Sequence, residues 1–276
     1  MDSKKTFLTD QELEKLANFL QKRTGVELEY SKLHRFQRKI EDVFLEHDIN
    51  DFNSFYHRIR YQKDEDLIQD LTNAVTINET YFWREFEQFS ILTQKILPQF
   101  IQSNKIPVVR ILVAPCSSGE ELYSIMLAIL DTANLLEKLN IELIGIDIDS
   151  KMVFKAKTGL YAQRSVKKLP KHLLKTYFTK VGNLYKIDDA LRKNSYFLQA
   201  NIFDDSIVEK LGHFDILFSR NMLIYFNELD KQKCYNIFYK ILNMKGFLFL
   251  GHADANGINK KLFLLYEKGF HIYQKI

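Results

Sequence analysis

The sequence predicts an α/β domain on a parallel sheet, carrying a small β-rich insert and preceded by an all-α domain. Three observations carry that reading. Residues 9–75 repeat apolar positions at helical spacing with little strand signal. After residue 106, short apolar runs alternate with helical stretches, the pattern of a sheet covered on both faces. The interval 158–195 breaks that alternation and is too long for a crossover loop.

Taken in order, Thr9-Asp10-Gln11-Glu12 reads as a capping box, and Leu13, Leu16, Ala17, Phe19 and Leu20 follow at helical spacing. Gly25 suits the stop of that helix. Residues 31–47 repeat the pattern through Leu33, Phe36, Ile40, Val43 and Phe44, and 51–60 and 64–75 give two shorter helices. The pattern changes near residue 76 without a low-complexity linker, so the expected domains are 1–75 and 76–276. Strands are expected at 108–114, 141–148, 196–200, 214–219 and 247–251. The insert is rich in Lys, Leu and Tyr, has a weak strand pattern at 183–187, and is expected to pack on the edge of the sheet.

The bulk composition excludes several classes. A net charge of +4 over 276 residues is too diffuse to argue for nucleic acid. Cys116 and Cys234 form no CxxC and no disulfide framework, which points to a reducing compartment. The N-terminus lacks an apolar signal core and no run of about twenty apolar residues occurs, so a cytoplasmic protein is expected. The seven histidines, among them His34, His213 and His252, lack ligand spacing, and no metal is expected.

The chemistry concentrates in Val108-Val-Arg-Ile-Leu-Val-Ala-Pro-Cys-Ser-Ser-Gly-Glu-Glu-Leu-Tyr-Ser-Ile125. A strand running through a tight loop into a helix N-terminus is the ligand-binding turn of doubly wound folds. A pyrophosphate would want bare glycines and free N–H groups there. This loop offers Glu120 and Glu121 instead, which repel phosphate and suit a cationic, hydroxyl-rich ligand. S-adenosylmethionine has that character: an α-amino group, a sulfonium, a ribose and no phosphate. The second strand ends in Asp147-Ile-Asp149, and an acidic residue there commonly accepts from ribose hydroxyls. Read alone, each pair has a plainer account: helix N-terminal carboxylates favoured by the dipole for the glutamates, an Asx turn and a helix cap for the aspartates.

Three further segments complete the pattern: Asn78-Glu-Thr-Tyr-Phe-Trp-Arg84, Ser219-Arg-Asn-Met-Leu-Ile-Tyr-Phe226 and Leu250-Gly-His-Ala-Asp254. In this order, with APCSSGEELYSI and GIDIDSKMVFKAKTGLY between them, the chain resembles the chemotaxis receptor methyltransferases of the CheR family over nearly its whole length. The resemblance implies a Rossmann-like class I methyltransferase domain with a small β-subdomain, behind a helical domain. It also implies methyl transfer from S-adenosylmethionine to glutamate side chains of chemoreceptors, giving methyl esters.

Matched motif by motif, it assigns Asn78, Thr80, Arg84, Glu121, Asp147, Asn201, Ile202, Arg220 and Asn221 to the cofactor. Glu121 is favoured over Glu120, Asp147 would hold the ribose, and Asn201 and Ile202 would line the adenine pocket. Arg84 and Arg220, able to orient a carboxylate, and Tyr225, at the substrate entrance, are the candidate catalytic residues. A glutamate is ionised at neutral pH, with a pKa of about 4.3, so no general base is required.

Departures are Trp83 for a usual Phe, Leu122 for a common Pro, and Ala253-Asp254 for Ser-Glu. In some members a glycine-rich loop of the insert binds a tethering receptor pentapeptide. The corresponding Tyr177–Tyr185 stretch is short, with one glycine, so tether-independent action is expected. Lys32, Arg35, Arg38 and Lys39 on one helix form a candidate surface for acidic methylation helices, with an ordinary solvated face as the alternative. The chain is expected to act as a monomer. A nucleic-acid amino-methyltransferase is disfavoured because Asn221 is followed by Met-Leu-Ile-Tyr, without proline. A small-molecule carboxyl methyltransferase would leave the helical domain unexplained, and a non-catalytic cofactor-binding regulator is the other alternative.

Overall fold

The computed structural model describes residues 8–27, 30–101, 106–204 and 206–276, with the side chains of residues 30–35 outside that description. Its first part is helical: Asp10–Thr24, Tyr30–Glu46, Phe52–His57 and Glu65–Val75, with a π-turn at Arg58–Gln62. Local chemistry sets the helix ends. Thr9 N donates to Glu12 Oε2 at 2.7 Å while Glu12 N donates back to Thr9 Oγ1 at 3.4 Å, closing the capping box. Asp51 and Asp64 cap the later helices by accepting from Ser54 N at 2.8 Å and Leu67 N at 3.1 Å. The apolar faces meet in one core around Leu16, Leu20, Ile40, Phe55, Leu67 and Leu71. The α-helix expected at 51–60 ends at His57, where the chain widens into the π-turn.

The second part is a seven-stranded sheet. Its strands are β1 (Val108–Val113), β2 (Asn140–Asp147), β6 (Tyr196–Gln199), β7 (Phe214–Ser219), β8 (Leu242–Leu250), β9 (Phe263–Glu267) and β10 (Ile272–Lys275). The order is β6-β2-β1-β7-β8-β10-β9, with the first five parallel and β10 antiparallel to both neighbours. Alternation along β1 explains the two-sided burial: Ile111 and Val113 enter one core layer, Leu112 and Ala114 the other. The antiparallel β9–β10 pair was not legible in the sequence. Leu264 and Leu265 in β9 are exposed on the sheet edge, so no buried apolar run marks it.

The insert is a second, three-stranded antiparallel sheet of β3 (Leu160–Ala162), β4 (Phe178–Val181) and β5 (Leu184–Ile187), in the order β3-β5-β4. Phe82 packs edge-on against Tyr161 and Phe178 at 4.8 and 5.2 Å, joining the 78–84 segment to this insert.

The helical part is built onto the carboxyl end of β2. Gln69 Nε2 donates to Ile148 O at 2.9 Å, Asn73 Nδ2 to Ser150 Oγ at 3.0 Å, and Thr76 Oγ1 to Asp149 Oδ2 at 2.6 Å. On the opposite flank Glu27 N donates to Tyr225 O at 2.7 Å and Asn201 Nδ2 to Arg23 O at 2.6 Å. Gly25 sits at this second seam in the left-handed region, with φ +74°, where a Cβ would lie 2.2 Å from the Phe203 ring. Gly25→Ala is therefore expected to destabilise the protein by about 2–4 kcal/mol, from the backbone penalty plus overpacking. Urea unfolding at constant m-value would measure it.

Candidate functional site

A cleft opens at the carboxyl ends of β2, β1 and β7, where ligands bind in doubly wound sheets. Its void measures about 1050 Å³ with the open solvent at its mouth included. Its walls come from five pieces of chain: the β1 loop, the end of β2, the end of β6, the turn after β7, and the 76–84 segment. Thr24 and Val26 of the helical part close it, with Val26 bridging to Phe226.

The β1 loop turns sharply to reach the next helix, Glu120–Leu130. The Ala114–Pro115 peptide is cis, Ser117 has φ +44°, and Gly119 has φ +93°. A Cβ at Gly119 would press on Ala156 and Tyr123 at 3.0–3.1 Å, so glycine is required for both conformation and space. This turn separates the two glutamates. Glu121 faces the cleft. Glu120 is turned away, buried, and accepts from Ser118 Oγ at 2.7 Å.

Glu121 meets Arg220 from the end of β7, with Arg220 Nε 3.0 Å from Glu121 Oε2. The approach is an ion pair whose direction does not make a hydrogen bond, and Arg220 Nε, Arg220 Nη2 and Glu121 Oε1 are buried without hydrogen-bond partners. The Arg220 side chain is 1% exposed. Its Nη1 donates to Arg84 O at 2.9 Å and to Gln88 Oε1 at 3.3 Å, and its guanidinium lies 5.1 Å from the Phe89 ring centre. Glu85 is a more distant counter-ion at 3.7 Å. Burial pushes the Glu121 carboxyl up from its ordinary value, and the Arg220 charge opposes that.

Asp147 and Asp149 have different work. Asp149 caps the helix Ser150–Thr158 through Lys151 N and Met152 N, and its other oxygen accepts from Thr76 Oγ1 and from Asn78 Nδ2 at 2.7 Å. Asp147 lines the cleft and accepts from Ser117 N at 2.7 Å and Asp149 N at 2.9 Å. Burial pushes its carboxyl up to about 6, while those backbone N–H groups pull it down.

All ten residues singled out in the sequence, Asn78, Thr80, Arg84, Glu121, Asp147, Asn201, Ile202, Arg220, Asn221 and Tyr225, line this one cleft. Their side chains are not equally free. Asn201 spends its amide on Arg23 O and on Phe203 N, whose bond to Asn201 Oδ1 is 3.0 Å. Arg84 reaches back to Glu79 O at 3.2 Å and lies 5.5 Å from the Tyr81 ring centre. Trp83 packs edge-on to Phe89 at 5.8 Å, against the core on one face of the sheet. Met222 lines the cleft as well as packing. His252 pairs with His271 at 3.0 Å outside the cleft. Lys32 and Arg35 have side chains outside the described residues; Arg38 and Lys39 are exposed.

Two supporting residues had no role in the sequence reading. Gln88 is buried and donates from Nε2 to Leu250 O at 2.8 Å and Phe270 O at 2.7 Å, which leaves Oε1 turned to Arg220. Asp254, also buried, accepts from Asn221 N and from Ile224 N at 3.2 Å, holding the turn that carries Asn221 at φ +60°. Asp254 had a signal in its place beside the conspicuous Gly251-His252; Gln88 had none.

Among the described residues no group of His, Cys, Asp and Glu is arranged for a metal, and no helix is long and apolar enough to cross a membrane. Residues 78–268 match the family described as "CheR methyltransferase, SAM binding domain", and residues 11–76 match "CheR methyltransferase, all-alpha domain". The chain is 34% identical to chemotaxis protein methyltransferase 2 of Vibrio cholerae, over 90% of this chain and 86% of that one. It is 31% identical to a chemotaxis protein methyltransferase of Pseudomonas putida, over 90% and 91%. A chemotaxis protein methyltransferase of Campylobacter jejuni is 32% identical, over 91% of each chain. The cofactor is thus S-adenosylmethionine, and the unbonded Arg220 Nη2 and Glu121 Oε1 in one cleft wall fit its zwitterionic methionine end.

The Asp147 shift has a testable sign. Its folded value of about 6 exceeds the ordinary 3.8, so its stabilising contribution is complete below the ordinary value and is lost as pH rises through about 6. Relative to Asp147→Asn, the ligand-free wild type should lose about 2 kcal/mol of unfolding free energy between pH 4 and 7. Denaturant titrations of both proteins across that range measure the difference.

Proposed function

The chain belongs to the CheR family of methyltransferases, and from that premise we propose that it methylates glutamate γ-carboxylates of chemoreceptors in the cytoplasm. The observation that carries this reading is the makeup of the cleft. Its walls hold Arg220, Arg84 and Tyr225 near a buried carboxylate, and among the described residues neither histidine nor lysine lines it. A carboxylate nucleophile is already ionised at neutral pH and needs no base to activate it.

Bound S-adenosylmethionine supplies an electrophilic methyl group on a sulfonium. The chain's residues do the rest by holding and drying the site. Glu121, through its unbonded Oε1, would hold the α-amino group, and Arg220, through Nη2, the α-carboxylate. Asp147 accepts from the ribose, its backbone donors keeping both oxygens oriented. Ile202 and the backbone of Asn201 flank the adenine. Asn78 orients this wall through Asp149, with Thr80 beside it and Asn221 near the methyl end. Arg84, partly exposed and held by Glu79 O and the Tyr81 ring, steers the incoming carboxylate, and Tyr225 shapes the entrance. Positive and negative charges cancel as the ester forms, so exclusion of water favours the transition state over the separated ions.

Residues 1–75 serve as a docking domain, with Arg38 and Lys39 on its exposed helix face, and 76–276 as the methyltransferase domain with its insert at 158–195. The insert's β4–β5 connection is only Gly182-Asn183, which supports action without a receptor tether. Micromolar binding of a receptor C-terminal pentapeptide would count against that; none is expected by calorimetry.

Methyl-labelled S-adenosylmethionine incubated with chemoreceptor membranes should yield label released as methanol by base. Glu121→Gln should weaken cofactor binding about tenfold or more, since it leaves a buried charge-assisted bond unmade. Cofactor binding without any volatile label from every receptor of the host would favour a regulator that only senses the cofactor.

A further inference from the structure

The net charge of +4 conceals a strong segregation. Residues 150–187 contain ten lysines and arginines and no aspartate or glutamate. The remainder therefore holds 29 basic against 35 acidic residues, a net of −6. Of the ten cations, among the described residues, only Lys151 and Lys186 form ion pairs, with Asp70 at 3.3 Å and Asp189 at 3.0 Å. Arg164, Lys167, Lys168 and Lys171 are all exposed. They lie on the helix Gln163–Val166 and the turn that follows it into Lys171–Tyr177.

That turn borders the cleft. Phe82 N donates to Ser165 O at 3.0 Å, fastening the helix to the 78–84 segment. Lys168 Nζ donates to Tyr81 Oη at 3.2 Å and lies 4.5 Å from its ring centre, and Arg84 lies 5.5 Å from the same ring. Tyr81 and Arg84 both line the cleft. Cations on the insert thus continue, through Tyr81, into the wall that receives the substrate.

We propose that this face of the insert, centred on Arg164, Lys167, Lys168 and Lys171, is the docking surface for an acidic protein segment carrying the glutamate to be methylated. The inference rests on the reaction proposed above. Unpaired cations concentrated beside a cleft, on an otherwise acidic molecule, select an acidic partner and orient it toward that cleft. The same field separates substrate from product, because esterification removes one negative charge from the segment and weakens its hold. A bilayer surface would also attract these cations, yet it would not require their continuity with the cleft wall.

The test is the steady-state kinetics of receptor cytoplasmic fragment methylation by Arg164→Glu/Lys167→Glu/Lys171→Glu, which spares Lys168 and Arg84. KM for the fragment should rise about tenfold or more and wild-type KM should increase with salt. The kcat should stay within about twofold and the cofactor Kd should not change. The charge-preserving Arg164→Lys/Lys167→Arg/Lys171→Arg variant should keep the wild-type KM. An unaltered KM in the charge-reversed protein would overturn the proposal, as would loss of binding to anionic phosphatidylglycerol vesicles with fragment KM unchanged. Absence of methyl ester with wild-type protein would instead sink the proposed reaction, so the two failures are distinguishable.

Discussion

The buried ion pair between Glu121 and Arg220 is the constraint around which the cleft is organised. A guanidinium 1% exposed to solvent cannot be left without counter-charge, and a carboxylate beside it gains from the same arrangement. Truncating either partner of such a pair typically costs about 3–5 kcal/mol, because the other charge remains buried alone. Each partner, however, keeps polar atoms without hydrogen bonds. The pair is thus stable enough to persist and incomplete enough to bind. Gln88 and the carbonyl of Arg84 hold the guanidinium from behind, so the unpaired face of Arg220 is the one left for a ligand.

This arrangement depends on the order of the strands. Placing β1 between β2 and β7 brings the glutamate-bearing loop, the aspartate at the end of β2 and the arginine at the end of β7 to one edge. Each arrives from a rigid element, and the three are separated by more than twenty residues in the chain. The helical part then acts on the same edge. Asp149 is its main anchor, taking Thr76 and Asn78 on one oxygen while capping a helix with the other. Because Thr24 and Val26 also enter the cleft wall, movement of the helical part relative to the sheet would change the cleft's shape.

Much of this was legible in the sequence because the signals were local. The capping box at Thr9, the left-handed stop at Gly25 and the five parallel strands each leave a mark within a few residues. The distinction between Glu120 and Glu121 was expected from the resemblance; in the structure Glu121 lines the cleft and Glu120 bonds Ser118 away from it. The parts that escaped depend on distant partners. Gln88 is one glutamine in a short helix, and its meaning comes from carbonyls more than 160 residues away in the chain. The β9–β10 hairpin is an edge structure whose outward leucines resemble neither a buried strand nor a helix face. Asn201, read as lining the adenine pocket, lines the cleft, and the bond of its side chain to Arg23 O is the part that a local motif does not show.

On the proposed reaction, the distribution of charge also follows from the chemistry. A site that stabilises loss of charge must be dry, so the groups that attract a charged partner cannot all stand inside it. Here the interior keeps one compensated cation, Arg220, while uncompensated cations lie on the exposed insert. Long-range attraction acts through solvent and tolerates imprecise geometry, which suits flexible lysines. Orientation at the reacting carboxylate needs a planar, positioned donor, which suits the arginines of the cleft. Tyr81 stands where the two regimes meet, touched by Lys168 on the insert side and by Arg84 on the cleft side. On the proposed reaction, an acidic segment moving from the first set of cations to the second would lose solvent gradually, and contacts already in place would offset the cost of drying its glutamate.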